Sequence, residues 1–131
     1  MRLPLRLLVA LSCGLAASAN WAQAPLDGAW RVTFSTEGAD GREAQVEIRG
    51  QSGTWTTYAR SDKDKRDPCV GRALPLTLSG GDGASSALQL RVEASSVVSG
   101  CRDRKATLQR VDEKTLEGSF DNGRPLRLVR P

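Results

Sequence analysis

Apolar and polar residues alternate through most of the chain, and this sets the fold class before any single residue is considered. Trp30, Val32 and Phe34 alternate with Arg31, Thr33 and Ser35, and Ala44, Val46 and Ile48 alternate with Glu43, Gln45, Glu47 and Arg49. Successive side chains of a strand point to opposite faces, so each run predicts a strand with one face buried and the other in water. Gly50-Gln51-Ser52-Gly53 turns the chain into a third strand at residues 54–59, where Trp55 and Tyr58 point to opposite faces. Leu74, Leu76 and Leu78 predict a fourth strand, and Pro75, with no N–H for a ladder, assigns it to an edge or a bulge. Leu88, Leu90 and Val92 give the fifth. From residue 105 to the end, three more strands are joined by Asp112-Glu113-Lys114 and Asp121-Asn122-Gly123, the Asn-Gly pair suiting the positive φ angles of a tight hairpin.

No segment holds apolar residues at i, i+3, i+4 and i+7 long enough for a helix. The pattern therefore predicts an all-β domain: an antiparallel meander of about eight strands, closed into a barrel or folded into a sandwich, with no internal repeat. An eight-stranded barrel is just wide enough inside for its own side chains or one small ligand. Trp30, Phe34, Phe120 and the leucines are enough to fill it. The competing expectation is a ligand cavity lined by Trp30, Trp55 and Tyr58.

The domain so defined occupies residues 25–131. Residues 1–24 read as an export signal: Arg2 and Arg6 are basic, Leu7-Leu8-Val9-Ala10-Leu11 is a short apolar run, and Ala17-Ser18-Ala19 and Ala22-Gln23-Ala24 are A-x-A cleavage sites. The run is too short for a membrane span, so no transmembrane anchor is expected. Cys13 offers a lipoprotein alternative. With the signal removed, Cys69 and Cys101 remain, and in an oxidising compartment, secreted or periplasmic, they predict one disulfide.

Composition narrows the chemistry. The chain has no histidine, which removes Ser-His and Cys-His catalysis and most zinc sites together. No carboxylate pair or lysine-activated serine shows a spacing signature, so no catalytic residue, cofactor or metal is expected and the chain reads as a non-enzyme. The acidic run opening at Asp62 lacks the ligands of an EF-hand loop, and Gly80-Gly81-Asp82-Gly83 is a single fragment of a calcium repeat that needs stacked copies.

Gly28-Ala29-Trp30 resembles the G-x-W signature of the calycin superfamily, the lipocalins and avidins. The resemblance covers three residues. It implies that Trp30 packs at the barrel floor beneath an arginine from the last strand, with Arg124, Arg127 or Arg130 as that cap. A calycin-like carrier of a small apolar ligand follows as one functional expectation.

Charge supplies the other. Residues 60–72 and 101–105 together carry eight basic and four acidic side chains, a net +4, whereas the rest of the chain after residue 24 sums to −2. A disulfide between Cys69 and Cys101 would bring both segments to one pole, making a local basic patch of Arg66, Arg72, Arg102, Arg104 and Lys105. Such a patch suits an anionic envelope component or a secreted or periplasmic protein, including a hydrolase blocked by an inhibitor or immunity protein. The alternative is a solvated loop whose Asp and Lys satisfy one another. Nucleic acid is not an expected partner, because the few aromatics belong to the core and leave no stacking platform.

Overall fold

The computed structural model describes residues 25–81 and 87–131. The export segment with Cys13, Ala19 and Ala24, and the hairpin tip at Asp82 and Gly83, lie outside the described residues.

Eight antiparallel strands close into a barrel in simple sequential order. They are β1 (Gly28–Thr36), β2 (Ala39–Arg49), β3 (Ser52–Thr57), β4 (Leu74–Gly80), β5 (Leu88–Val92), β6 (Arg104–Asp112), β7 (Thr115–Phe120) and β8 (Pro125–Val129). Closure comes from β8 pairing with β1, Leu128 opposite Val32 and Leu126 opposite Phe34. Barrel rather than sandwich is the outcome, and closure leaves no unpaired edge to attract another strand.

The period-two pattern maps directly onto inside and outside. Trp30, Val32, Ala44, Val46, Ile48, Leu76, Leu90, Leu108, Leu116 and Leu128 are all buried in one core cluster. Arg31, Glu43, Glu47, Arg91 and Lys105 stand outside, exposed. Two aromatic groups anchor the barrel at opposite ends. Phe34, Trp55 and Phe120 meet edge to face, with centroids 5.3, 6.1 and 6.3 Å apart, a favoured arrangement of aromatic quadrupoles. At the other end Trp30 is buried and its Nε1 donates to the Leu26 carbonyl at 2.9 Å.

Three local expectations change. Pro75 sits on no edge, since β4 is paired on both sides, to β3 and to β5. The Pro75 carbonyl accepts from Glu93 N at 2.8 Å, so its missing N–H faces the Glu93 carbonyl, which takes the Ser96 hydroxyl at 2.7 Å instead. The proline is accommodated where β5 ends and a 3-10 turn (Ala94–Ser96) begins. Asn122 does not adopt positive φ: among the described residues only glycines do, and Gly123 carries the turn with φ 85°. Gly123 N donates to Phe120 O and Phe120 N to Arg124 O, so the hairpin turns over Asp121-Asn122-Gly123 as expected, with one positive φ angle instead of two. Finally, the charged loop contains one helical turn, α1 (Asp62–Lys65), whose N-cap Ser61 accepts through its hydroxyl from Asp64 N. Ser-x-x-Asp is a helix-start signal that the strand pattern on either side obscures.

Candidate functional site

Up-and-down topology sorts the connections between two poles. One pole gathers the β1–β2 turn, the long β3–β4 segment with α1, the β5–β6 segment and the β7–β8 turn. Cys69 and Cys101 are joined there, with Cα atoms 5.8 Å apart and a sequence separation of 32. Cys101 is buried and Cys69 packs against the core, so the bond roots both segments in the barrel.

The basic residues expected at this pole divide into three groups. Arg66, Arg72 and Arg102 are exposed, and none forms an ion pair among the described residues; Arg66 Nε donates to the Asp62 carbonyl at 3.3 Å. Lys105 belongs to the outer wall, beside its cross-strand partner Arg91 on β5, and so leaves the polar cluster. Its neighbour Arg104 turns the other way. Arg104 lies opposite inward-facing Val92, and its guanidinium carbon stands 5.8 Å from the Phe120 ring centroid and 6.0 Å from that of Phe34. Partial burial lowers its pKa first, then the positive charges of Arg42 and Arg102, with Asp67 acting in the opposite sense.

Arg42 is the residue that sequence reasoning missed. It is opposite Phe34 on the inward face of β2, one period before Ala44, and the alternation extended back by two residues would have found it. Its Nη2 meets Asp64 Oδ2 at 3.3 Å and the Tyr58 carbonyl at 3.5 Å, while Nε is buried without an acceptor. Asp64 Oδ2 also accepts from Arg60 N at 2.9 Å. This carboxylate thus pins α1 over the rim, and it absorbs part of the loop's positive charge together with the exposed Lys65–Asp62 pair at 3.6 Å.

Between the β1–β2 turn, the β7–β8 turn and the start of β6 lies a basin of about 240 Å³, lined by Glu37, Arg102, Asp103, Arg104, Phe120 and Asp121 among others. Asp103 Oδ1 accepts from Ser95 N at 2.9 Å. That bond holds its carboxyl below the ordinary value of 3.8; the Ser95 side chain and the Arg91 charge add to the effect, and slight desolvation opposes it. A depressed folded pKa contributes stability above the unfolded value, and the contribution is lost as pH falls through the folded one. Asp103→Ala is therefore expected to lower the melting temperature slightly at pH 7 and not at all near pH 2, measured by thermal melts at both.

The three aromatic residues expected to line a cavity do not share one. Trp30 and Trp55 are buried inside the barrel, whereas Tyr58 is 40% exposed and its hydroxyl donates to Gln45 Oε1 at 2.7 Å on the outer wall. Trp55 Nε1 donates to Thr57 Oγ1 at 2.9 Å, and its ring faces Phe34 and Phe120. Of the arginines offered as the cap of Trp30, it is Arg130 that lies over the ring, 4.4 Å from its centroid, and its Nη2 donates to the Pro25 carbonyl at 3.0 Å. Arg127 instead pairs with Glu117 on the outer wall at 3.4 Å.

Among the described residues no cluster of three or more Cys, Asp or Glu is arranged to hold a metal ion. No helix among them is long and apolar enough to cross a membrane. No protein-family model, curated protein or solved structure matches the chain.

Proposed function

We propose that this protein is an exported, non-enzymatic binding module, a calycin-like barrel whose disulfide-clamped pole meets an anionic envelope component or an acidic protein surface. The observation that carries this reading is the exposure of Arg66, Arg72 and Arg102 at one pole, none within 4 Å of a carboxylate among the described residues. Exposed guanidinium groups with no carboxylate partner keep their charge and most of their donors available to phosphate, sulfate or carboxylate. The disulfide suits an oxidising compartment and agrees with the export pattern of residues 1–24. Trp30 beneath Arg130 supports the calycin-like likeness. The core positions filled by Trp30, Trp55, Phe34 and the leucines favour a surface site over a carrier.

The test is retention on a heparin matrix at low salt. Arg66→Glu/Arg72→Glu is expected to elute at markedly lower salt than the native protein, because two attractive charges become repulsive. Neither residue is buried, so the melting temperature stays put. Unchanged retention would remove the reading.

A further inference from the structure

Opposite charges face one another across the basin at this pole without touching. Arg102 and Arg104 stand in its wall with Glu37, Asp103 and Asp121, yet no ion pair within 4 Å joins them among the described residues. This is unlike the neighbouring loop, where Asp64 contacts Arg42 at 3.3 Å and lies 4.0 Å from Arg60. Arg104 is the most demanding member. Its guanidinium carbon stands 6.0 and 5.8 Å from the ring centres of Phe34 and Phe120, and among the described residues it makes no hydrogen bond to a protein acceptor. A planar fork of donors beside two aromatic rings, with the like charges of Arg42 and Arg102 near it, calls for an oxyanion.

An oxyanion alone does not complete the match. Three carboxylates line the basin against two guanidinium groups, so a dianion such as phosphate meets repulsion and a simple cation meets Arg102 and Arg104. We propose that the basin binds a small zwitterion of the α-amino-acid class. The ligand's carboxylate lies against the Arg104 fork and Arg102, and its ammonium donates to Glu37 and Asp121. Each charge of the ligand then answers an unpaired charge of the wall. Asp103, already held by Ser95 N, stays ionised and supplies field. Phe120, only 5% exposed, lines the basin and gives a short side chain an apolar contact, and about 240 Å³ has room for a molecule of that size. The site shares Arg102 with the polyanion reading above but uses neither Arg66 nor Arg72, which do not line the basin.

The experiment is a titration of the oxidised protein with L-alanine, acetate, ethylammonium and phosphoethanolamine. It is followed by tryptophan fluorescence, since Trp55 sits 6.3 Å from Phe120, and by amide chemical shifts. Saturable binding of alanine is expected, with acetate and ethylammonium weaker by about tenfold or more, because each satisfies only one half of the wall. Arg104→Gln is expected to lose alanine binding by a similar factor. Glu37→Gln, on an exposed turn, should weaken it by about threefold with no change in melting temperature, and it carries the test if Arg104→Gln does not fold. Arg66→Glu/Arg72→Glu should bind alanine as the native protein does, which separates this site from heparin retention. Alanine binding no tighter than acetate, no saturation at all, or native affinity in a folded Arg104→Gln would overturn the proposal. Phosphoethanolamine binding more tightly than alanine would overturn the assignment of a carboxylate.

Discussion

Gly118→Ala should prevent the barrel from accumulating, or destabilise it by about 3 kcal/mol or more. Gly118 occupies an inward position of β7 between Leu116 and Phe120, opposite Leu108 on one side and Leu126 on the other. A β-carbon there collides with the backbone carbonyl oxygen of Thr107 and lies 2.8 Å from its carbonyl carbon and 2.9 Å from the Leu108 Cα. The obstacle is backbone on a neighbouring strand, so no rotamer change relieves it. Gly53 meets the same obstacle in the Glu47 carbonyl, and Gly53→Ala should act alike. An eight-stranded barrel bends its strands sharply, and glycine at an inward position lets the next strand approach where curvature is greatest. Ser119→Ala, on the outer wall of the same strand, should change stability by less than about 0.5 kcal/mol. Denaturant melts of the three variants decide the matter. Native-like stability in Gly118→Ala would mean that the strand spacing at β6–β7 is wider than described.

The second large effect is loss of the disulfide. Cys69→Ala/Cys101→Ala removes a cross-link closing a loop of 32 residues, which constrains the unfolded chain by about 3–4 kcal/mol in the loop-entropy description. The folded state also depends on it locally. Apart from the bond, the β3–β4 segment is tied down by Gly71 N to Thr57 O at 2.8 Å, by Arg42–Asp64 and by Arg60 Nη1 to the Asp40 carbonyl at 3.2 Å. These are few contacts, each of modest strength. The variant should therefore melt at lower denaturant, and amide exchange should accelerate first in residues 60–72, with β1, β7 and β8 still protected. An unchanged midpoint would show that the pole holds without its clamp.

Much of the architecture was legible because strand periodicity reports burial directly. Leu88, Leu90 and Val92 against Gln89, Arg91 and Glu93 could only be a half-buried strand, and Cys69 and Cys101 were the two cysteines beyond the predicted signal. Barrel and sandwich could not be told apart, since both use the same alternation; the pairing of β8 with β1 is a long-range choice with no local signature. The candidate site was half legible. Charge arithmetic found the pole but treated arginines as equivalent, whereas strand parity turns Arg104 inward onto Phe34 and Phe120 and sends Lys105 to the outer wall. Arg42 was hidden because a charged residue at the start of a strand reads as its solvent-exposed end. Parity also separates Tyr58 from Trp55, and it removes Tyr58 from any interior site.

On the proposed reading, the clamped pole is the binding surface for polyanions. An amide-resolved NMR titration of the oxidised protein with a heparin oligosaccharide tests it most directly. Shifts are expected to concentrate in residues 60–72 and 101–104 and to be abolished by Cys69→Ala/Cys101→Ala. Shifts concentrated instead around Arg91 and Lys105 on the outer wall, or around Arg49 and Arg130 at the far pole, would contradict it.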